Sequence, residues 1–432
     1  MTAVLAGRRL QGLTALARTT PGILGTFTLA LILVSLLAGA LSVLGVTARA
    51  RAVDDLAVRS GPLSVAAEEI YRSLSDADAT ANSAFLSGGL EPVETRQRYE
   101  SGVAQAASAL AFAIAAREPA DITAPGSPLA TIAQQLPVYT GLVETARANN
   151  RMGLPLGAAY QREASTLMRT RLLPAAQDLY RTEAAQVSAD QERARQFPLA
   201  ELLLGVFVLG VLGFVQRSVS LRTNRVFNTG LLTATAAAAL SLVWMVVAGV
   251  AAGSAVDASR TAGSAQVDVL ARARIATLSA RADETLTLVA RGTGQSAEAG
   301  YTESDRQLGA LLDTAASLAT DDVVREEIAA ARADHATWVA AHGALRAADD
   351  SGDYGTAVAD AIGDDPRTAG SAFDRLDANL RDAIERTRGA FAEEVTGARG
   401  ALSGAVVVVS AMAAVTAVAS TTGIWRRLRD YR

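Results

Sequence analysis

Four long apolar stretches constrain this chain more than any other feature of its sequence. Three of them contain no charged residue, and the fourth contains one, Glu201, close to its start. A helix of about 20 mainly apolar residues is long enough to cross a bilayer. A glutamate one turn from the end of a span can reach the interface. We therefore predict four transmembrane helices, at residues 22–46, 197–216, 229–256 and 401–425.

The first apolar stretch has two interpretations. Small residues recur in the run 48–52 that follows it, as they do before a signal-peptide cleavage site. Its 25 residues, however, exceed the apolar region of about 7–15 residues that is usual for signal peptides. We therefore favour an uncleaved anchor over a cleaved signal peptide.

The distribution of arginine predicts the orientation of the spans. Residues 1–21, 217–228 and 426–432 contain ten arginines and one acidic residue, Asp430. Arginine-rich short segments are retained on the cytoplasmic side of a membrane. The other 30 arginines and 43 acidic residues lie elsewhere in the chain. We predict a multi-pass protein of the bacterial plasma membrane with cytoplasmic termini and two acidic extracytoplasmic segments, 47–196 and 257–400.

The two extracytoplasmic segments are similar in pattern. An offset of 204 residues aligns Leu74-Ser75 with Leu278-Ser279, and Tyr139 falls near Trp338 at an offset of 199. Helix-forming residues dominate both segments, and each begins with a 3-4 spacing that is typical of helices in bundles. The positions in this seam are Ala67, Ile70, Leu74, Ala77, Ala81 and Ala84 in the first segment and Ala271, Ile275, Leu278, Ala282, Thr285 and Val289 in the second. We predict an all-α chain with two tandem extracytoplasmic four-helix bundles that arose by internal duplication.

Turn residues divide each segment into four helices. The breaks lie at 87–89, 119–128 and 149–155 in the first segment and at 292–300, 321–322 and 349–352 in the second. A further break at 364–366 predicts a short additional helix in the last connection. A helix over residues 47–87 would be about 60 Å long, so the first and third connections of each bundle are expected at tips far from the membrane.

Polar residues near these tips are candidates for a binding site. The candidate partner- or ligand-binding residues are Asp76, Asp78, Asn82, Arg96 and Arg98 in the first segment and Asp349, Asp350 and Asp353 in the second. Two interpretations stay open for them. They form either solvated helix faces or a polar site in which arginines pair with the carboxylates of a ligand or partner.

The composition argues against most enzyme classes. The chain contains no cysteine and two histidines, His335 and His342, which lie seven residues apart without a convincing third metal ligand. The glycine-rich run 292–294 is not followed by the lysine and hydroxyl residue of a phosphate-binding loop, and the signatures of hydrolases and kinases are missing. We expect no enzymatic activity, no metal and no cofactor. The net charge of −4 gives no basic footprint for nucleic acid.

The predicted cytoplasmic segments are too short to carry an output domain. Together they contain 40 residues in three pieces, so any inward signal must pass to a separate protein. The spans lack the ionisable groups at mid-depth that transporters use. Two functions remain, a signalling sensor and a static scaffold that organises envelope complexes in the bilayer. A homo-oligomer is compatible with both.

Parts of both segments resemble a known family. The repeated span-bundle-span layout is similar to the sensor region of methyl-accepting chemotaxis receptors. YRSLSDADATANSAFLSGG at 71–89, RADETLTLVARG at 281–292 and DDSGDY at 349–354 resemble the actinobacterial glutamine/glutamate-sensing four-span membrane proteins of the protein kinase G pathway. The resemblance implies a sensor of extracytoplasmic glutamate, glutamine or aspartate. Its implied partners are a glutamine-binding lipoprotein and a cytoplasmic Ser/Thr kinase.

Overall fold

The computed structural model describes residues 20–87, 91–117, 119, 122, 124–196, 198–223, 228–290 and 294–429. Most of the predicted N-terminal cytoplasmic segment lies outside the described residues, as do residues 224–227 of the predicted cytoplasmic loop and residues 430–432 of the tail. Residues 88–90 and 291–293, which belong to two of the predicted distal turns, also lie outside them.

Every element in the described ranges is helical, which confirms the all-α class. The helices are α1 (Thr20–Asp55), α2 (Gly61–Leu86), α3 (Val93–Ala115), α4 (Pro128–Arg151), α5 (Leu156–Leu167), α6 (Leu173–Arg195), α7 (Leu199–Thr223), α8 (Thr229–Ala258), α9 (Ala265–Val289), α10 (Gln295–Leu318), α11 (Asp322–Asp350), α12 (Tyr354–Ile362), α13 (Ala369–Leu402) and α14 (Ala405–Arg429). Three π-helical stretches, Leu56–Ser60, Met168–Leu172 and Ser259–Ser264, join α1 to α2, α5 to α6 and α8 to α9. The residue pattern carried no signal for these stretches.

Within the described ranges, four helical stretches are long and apolar enough to cross a membrane, as the sequence predicts. They contain α1, α7, α8 and α14. The first stretch runs without a break from Gly22 to Leu86. A turn at Gly404, whose φ of 74° favours glycine, separates α13 from α14.

The chain forms two compact units. The span unit contains the described parts of Met1–Asp54, Glu192–Val256 and Thr396–Arg432. The polar unit contains the described parts of Asp55–Gln191 and Asp257–Val395. The polar unit therefore combines residues of both segments that the sequence predicts to be extracytoplasmic.

Within the span unit, Glu201 is buried, and the Nη2 atom of Arg49 donates a hydrogen bond to its Oε1 atom over 2.9 Å. We expected this glutamate to be accommodated by exposure at the interface. An ion pair with an arginine compensates its charge instead, because a buried carboxylate needs a partner of opposite charge.

Small residues bring some of the span helices close together. A Cβ atom on Gly205 would lie 2.6 Å from a methyl group of Leu242, and one on Gly230 would lie 2.4 Å from the Cα atom of Gly423. A Cβ atom on Gly210 or Gly213 of the same helix as Gly205 would meet nothing within 4 Å in the described part of the chain.

Two large hydrophobic cores lie in the polar unit, and both predicted seams contribute to them. The first core includes Ile70, Leu74, Ile132, Tyr139, Val143 and Met168, and the second includes Leu278, Leu288, Trp338, Leu345, Phe373 and Leu376. Helices α2 and α9 pack against each other, so Leu86 of α2 joins the second core and Ile275 of α9 packs on the first. The two segments therefore share their interior.

Turn chemistry ends several helices near the predicted breaks, but the predicted break 292–300 is too long, because α10 begins at Gln295. The carboxylate of Asp321 accepts a hydrogen bond from the backbone N–H of Val324 over 3.0 Å and so caps α11. Gly153 and Gly352 follow α4 and α11 with positive φ angles of 67° and 85°. The additional helix predicted before residues 364–366 is α12.

Replacing a buried leucine in the seam of either α2 or α9 by alanine is expected to destabilise the polar unit. Leu74→Ala and Leu278→Ala should each lower the free energy of unfolding by about 2–5 kcal/mol, because both side chains are fully buried and leave a cavity. Thermal unfolding of the full chain in detergent measures the loss. Val65→Ala, at a position that is 42% exposed, is the control and should change little. Equal effects of the three variants would contradict the assignment of the cores.

Candidate functional site

Two of the predicted site residues, Asp76 and Arg98, form an ion pair, and Arg98 also contacts a residue of the second segment. The Nη2 atom of Arg98, on α3, donates to Oδ1 of Asp76 on α2 over 2.8 Å. Its Nη1 atom donates to Oδ1 of Asp374 on α13 over 3.1 Å. Burial acts to lower the pKa of Arg98, but the two carboxylates outweigh burial and raise it. One arginine therefore links a helix pair of the first segment to the last helix of the second.

Arg98 lies at a cavity of about 400 Å³ that residues of both segments line. Its acidic lining residues are Glu69, Asp76, Asp377 and Glu385. Its basic lining residues are Arg72, Arg98, Arg274, Arg381 and Arg388. We call it the arginine cavity. Guanidinium groups at this density suit the recognition of carboxylates, which they bind with two parallel hydrogen bonds.

The buried pair of Arg274 and Asp377 shows this geometry within the arginine cavity. Nε and Nη2 of Arg274 donate to the two carboxylate oxygens of Asp377 over 2.6 and 3.0 Å. Burial acts to raise the pKa of Asp377, but the hydrogen bond and charge of Arg274 outweigh it and hold that pKa below its ordinary value. The pair therefore stays ionised inside the protein.

Asp78 and Asn82, also predicted site residues, lie in a buried network rather than on a solvated face. Ser165 donates to Oδ1 of Asp78 over 2.9 Å, and Tyr139 donates to the same atom over 3.3 Å. Gln161 donates to Oδ1 of Asn82 over 2.8 Å. Burial raises the pKa of Asp78, against the opposing charge of Arg169. The solvated interpretation of these two positions was wrong, because side chains of α4 and α5 cover this face of α2.

A second buried carboxylate, Glu284 on α9, has stronger partners. His342 Nδ1, Trp338 Nε1 and Arg281 Nη1 lie 3.0, 3.1 and 2.6 Å from its oxygens. Burial acts to raise the pKa of Glu284, but His342 and Arg281 outweigh it and lower that pKa. The carboxylate is therefore ionised and fully compensated.

His342 is held between two carboxylates. Its Nε2 atom lies 3.1 Å from Glu298, opposite the contact with Glu284, and its ring stacks on Tyr301 with 3.5 Å between the ring centres. Burial acts to lower the pKa of His342, but the two glutamates outweigh it and raise that pKa. Both ring nitrogens can donate only in the imidazolium form, which this arrangement stabilises.

The remaining predicted site residues serve local contacts. Arg96 donates to Glu100 over 2.8 Å on the surface of α3. Arg346 pairs with Asp349 and Asp350 over 2.6 and 2.7 Å. Asp353 caps α12 by accepting from the backbone N–H of Thr356 over 3.2 Å. The eight predicted residues therefore lie in separate clusters.

The structure adds charged residues that the sequence reasoning did not select. They are Arg72, Arg274, Asp377, Arg381 and Arg388 at the arginine cavity, Arg169 and Asp283 beside Asp78, and Arg281 and Glu284 at His342. One signal was available for the last group. The run 281–284 places three charges within one turn of a helix that is otherwise apolar along its seam.

The histidine cluster predicts a pH-dependent stability. A protonated His342 stabilises the fold fully below its ordinary pKa of about 6.5, and this stabilisation is lost as the pH rises through the raised folded pKa. The unfolding temperature of the full chain in detergent should therefore fall as the pH rises from about 6.5 through the raised folded pKa. His342→Gln should flatten this slope, because glutamine donates a hydrogen bond without titrating. His335→Gln, at the histidine that contacts Asp305, is the control, and an unchanged slope in His342→Gln would contradict the assignment.

Part of the chain matches a known protein family. Residues 52–192 match the family described as actinobacterial sensor domain, which covers about a third of the chain and the whole first segment of the polar unit, Asp55–Gln191. No curated protein and no solved structure matches the chain. The family match together with the four apolar helices indicates a multi-pass membrane protein with a sensor role, whose first polar segment is similar to actinobacterial sensor domains.

Proposed function

We propose that the chain is a membrane sensor of extracytoplasmic amino-acid availability. In this proposal the polar unit lies outside the plasma membrane and detects glutamate, glutamine or aspartate through a solute-binding lipoprotein. The signal then passes to a separate cytoplasmic Ser/Thr kinase. The match of residues 52–192 to a sensor family supports the class of function.

The observation that carries the proposal is the position of Arg98. Its guanidinium binds Asp76 of the first segment and Asp374 of the second at once, and it is partly exposed at the arginine cavity. A docked partner that presents a carboxylate competes for this arginine. Docking then favours one arrangement of the two segments over another.

The energy that such a relay needs sets a requirement on the partner. Moving a two-state population from 1:99 to 99:1 needs a preference of about 5.5 kcal/mol for one state. Charge-assisted hydrogen bonds contribute about 1.5–3 kcal/mol each. About two to four such hydrogen bonds, made in one state and absent from the other, supply this preference.

We also propose that the polar unit is a pair of tandem four-helix bundles derived by duplication. The π-helical stretches 56–60 and 259–264 lie at almost the same offset as the sequence repeat. The two aromatic residues aligned from the sequence also have equivalent roles. Tyr139 donates to Asp78 of α2, and Trp338 donates to Glu284 of α9.

A pull-down of the detergent-solubilised protein tests the proposed function. With glutamate, glutamine or aspartate added, the yield of a co-purified solute-binding lipoprotein, read by mass spectrometry, should change together with that of a Ser/Thr kinase. Arg98→Gln should abolish the dependence on the amino acid, whereas Arg306→Gln, at an exposed arginine that pairs only locally with Glu303, should keep it. Partners that are absent, or indifferent to every amino acid, would contradict the relay and favour the static scaffold.

A further inference from the structure

A second cavity, of about 250 Å³, lies in the polar unit where α2 meets α9. Helix α2 contributes Ser75 and Asp78 to its wall, and α9 contributes Ser279 and Asp283. Arg169, from the π-helical stretch Met168–Leu172, also lines it. π-Helical turns occur frequently at functional sites. The volume admits a small organic molecule.

The charges around this cavity do not balance. Among the described residues that line it, Arg169 is the single cation, and it faces two carboxylates. It forms an ion pair with Asp283 and lies close enough to Asp78 to oppose the rise of the pKa of that group. Burial raises the pKa of Asp283 to about 6, and the negative charge of Asp78 adds to this effect. Two carboxyl groups therefore face one guanidinium, and a cationic group placed beside them would favour their ionised forms.

Two polar atoms at the cavity lack partners within the described part of the chain. The hydroxyl of Ser75, a residue that is 2% exposed, has no hydrogen-bond partner there. The Nη2 atom of Arg169 is buried and has none either. A buried polar group without a partner costs free energy, which an acceptor on a ligand recovers.

We propose that this cavity binds a free α-amino acid with an uncharged polar side chain. The ammonium group of the amino acid lies between Asp78 and Asp283, and its carboxylate accepts hydrogen bonds from Arg169 Nη2 and Ser75. An acidic side chain is disfavoured, because it adds a third carboxylate to a site with one guanidinium. This inference rests on the proposed sensor function and deepens it by naming the ligand that the chain itself binds.

Titration calorimetry of the purified full chain in detergent tests the site. We expect saturable binding of L-glutamine with one site per chain. 4-Carbamoylbutanoate, which lacks the ammonium group, and 4-aminobutanamide, which lacks the carboxylate, should each bind about tenfold more weakly or worse, because each loses a charge-assisted contact. Tighter binding of L-glutamate than of L-glutamine would overturn the proposed ligand class.

Two variants separate binding from folding. Ser75→Ala removes no hydrogen bond within the described structure, so its unfolding temperature should be unchanged while L-glutamine binding weakens several-fold. Arg169→Gln should weaken binding about tenfold or more. Ser108→Ala on the exposed side of α3 and Arg171→Gln on the same π-helical stretch are the matched controls and should bind like the wild type. Wild-type binding by Ser75→Ala and Arg169→Gln would overturn the proposal.

The outcome is separable from that of the pull-down, since the titration contains neither lipoprotein nor kinase. No direct binding of L-glutamine, combined with amino-acid-dependent recovery of partners, would overturn this site and leave the proposed function in place. Direct binding that depends on Ser75 and Arg169, without any partner, supports the site and contradicts the relay.

Discussion

The packing of α2 against α9 is the interaction on which the rest of the polar unit depends. The seams of both helices contain alanines, whose side chains lose no conformational entropy on burial and let helices approach closely. Close packing excludes water, so a charge near the contact needs a partner inside the protein. Arg98, Arg169 and Arg274 meet this requirement through carboxylates of other helices. The ion pairs of Arg98 with Asp374 and of Arg169 with Asp283 join the two segments and therefore specify which of their residues lie opposite each other.

The spans, the seams and the helix breaks could be predicted from sequence, because hydropathy, 3-4 spacing and turn chemistry are local properties. The partners of the polar residues could not. Asp78 and Ser165 are 87 positions apart, and Arg98 and Asp374 are 276 apart. The sequence identified Asp76, Asp78 and Arg98 as candidates, but it also left open that Asp78 lies on a solvated face. That alternative fails for a reason that one helix cannot reveal, namely that side chains of α4 and α5 cover this face of α2.

The two segments use one arrangement for different chemistry. In each, an aromatic residue of a later helix donates a hydrogen bond to a buried carboxylate on the first helix. Around Asp78 the hydrogen-bonding partners are neutral, so burial prevails and the pKa of this group rises. Around Glu284 an arginine and a histidine supply charge, so its pKa falls despite complete burial. The charge of Glu284 is therefore balanced by residues of the protein itself. Asp78 has no cationic hydrogen-bond partner in the described part of the chain, so a further cation beside it would favour its ionised form.

This difference bears on which cavity can couple binding to a change of state. A ligand shifts an equilibrium only by the difference between its affinities for the two states. A fully compensated cluster such as that of Glu284 offers a ligand nothing that the protein does not already supply. Arg169 is different, because it acts on Asp78 of the first segment while it pairs with Asp283 of the second. A ligand that accepts a hydrogen bond from Arg169 weakens the interaction of this arginine with one of the two carboxyl groups relative to the other. A ligand bound in this cavity can therefore alter the packing of the two segments, because it changes the balance of charge between α2 and α9.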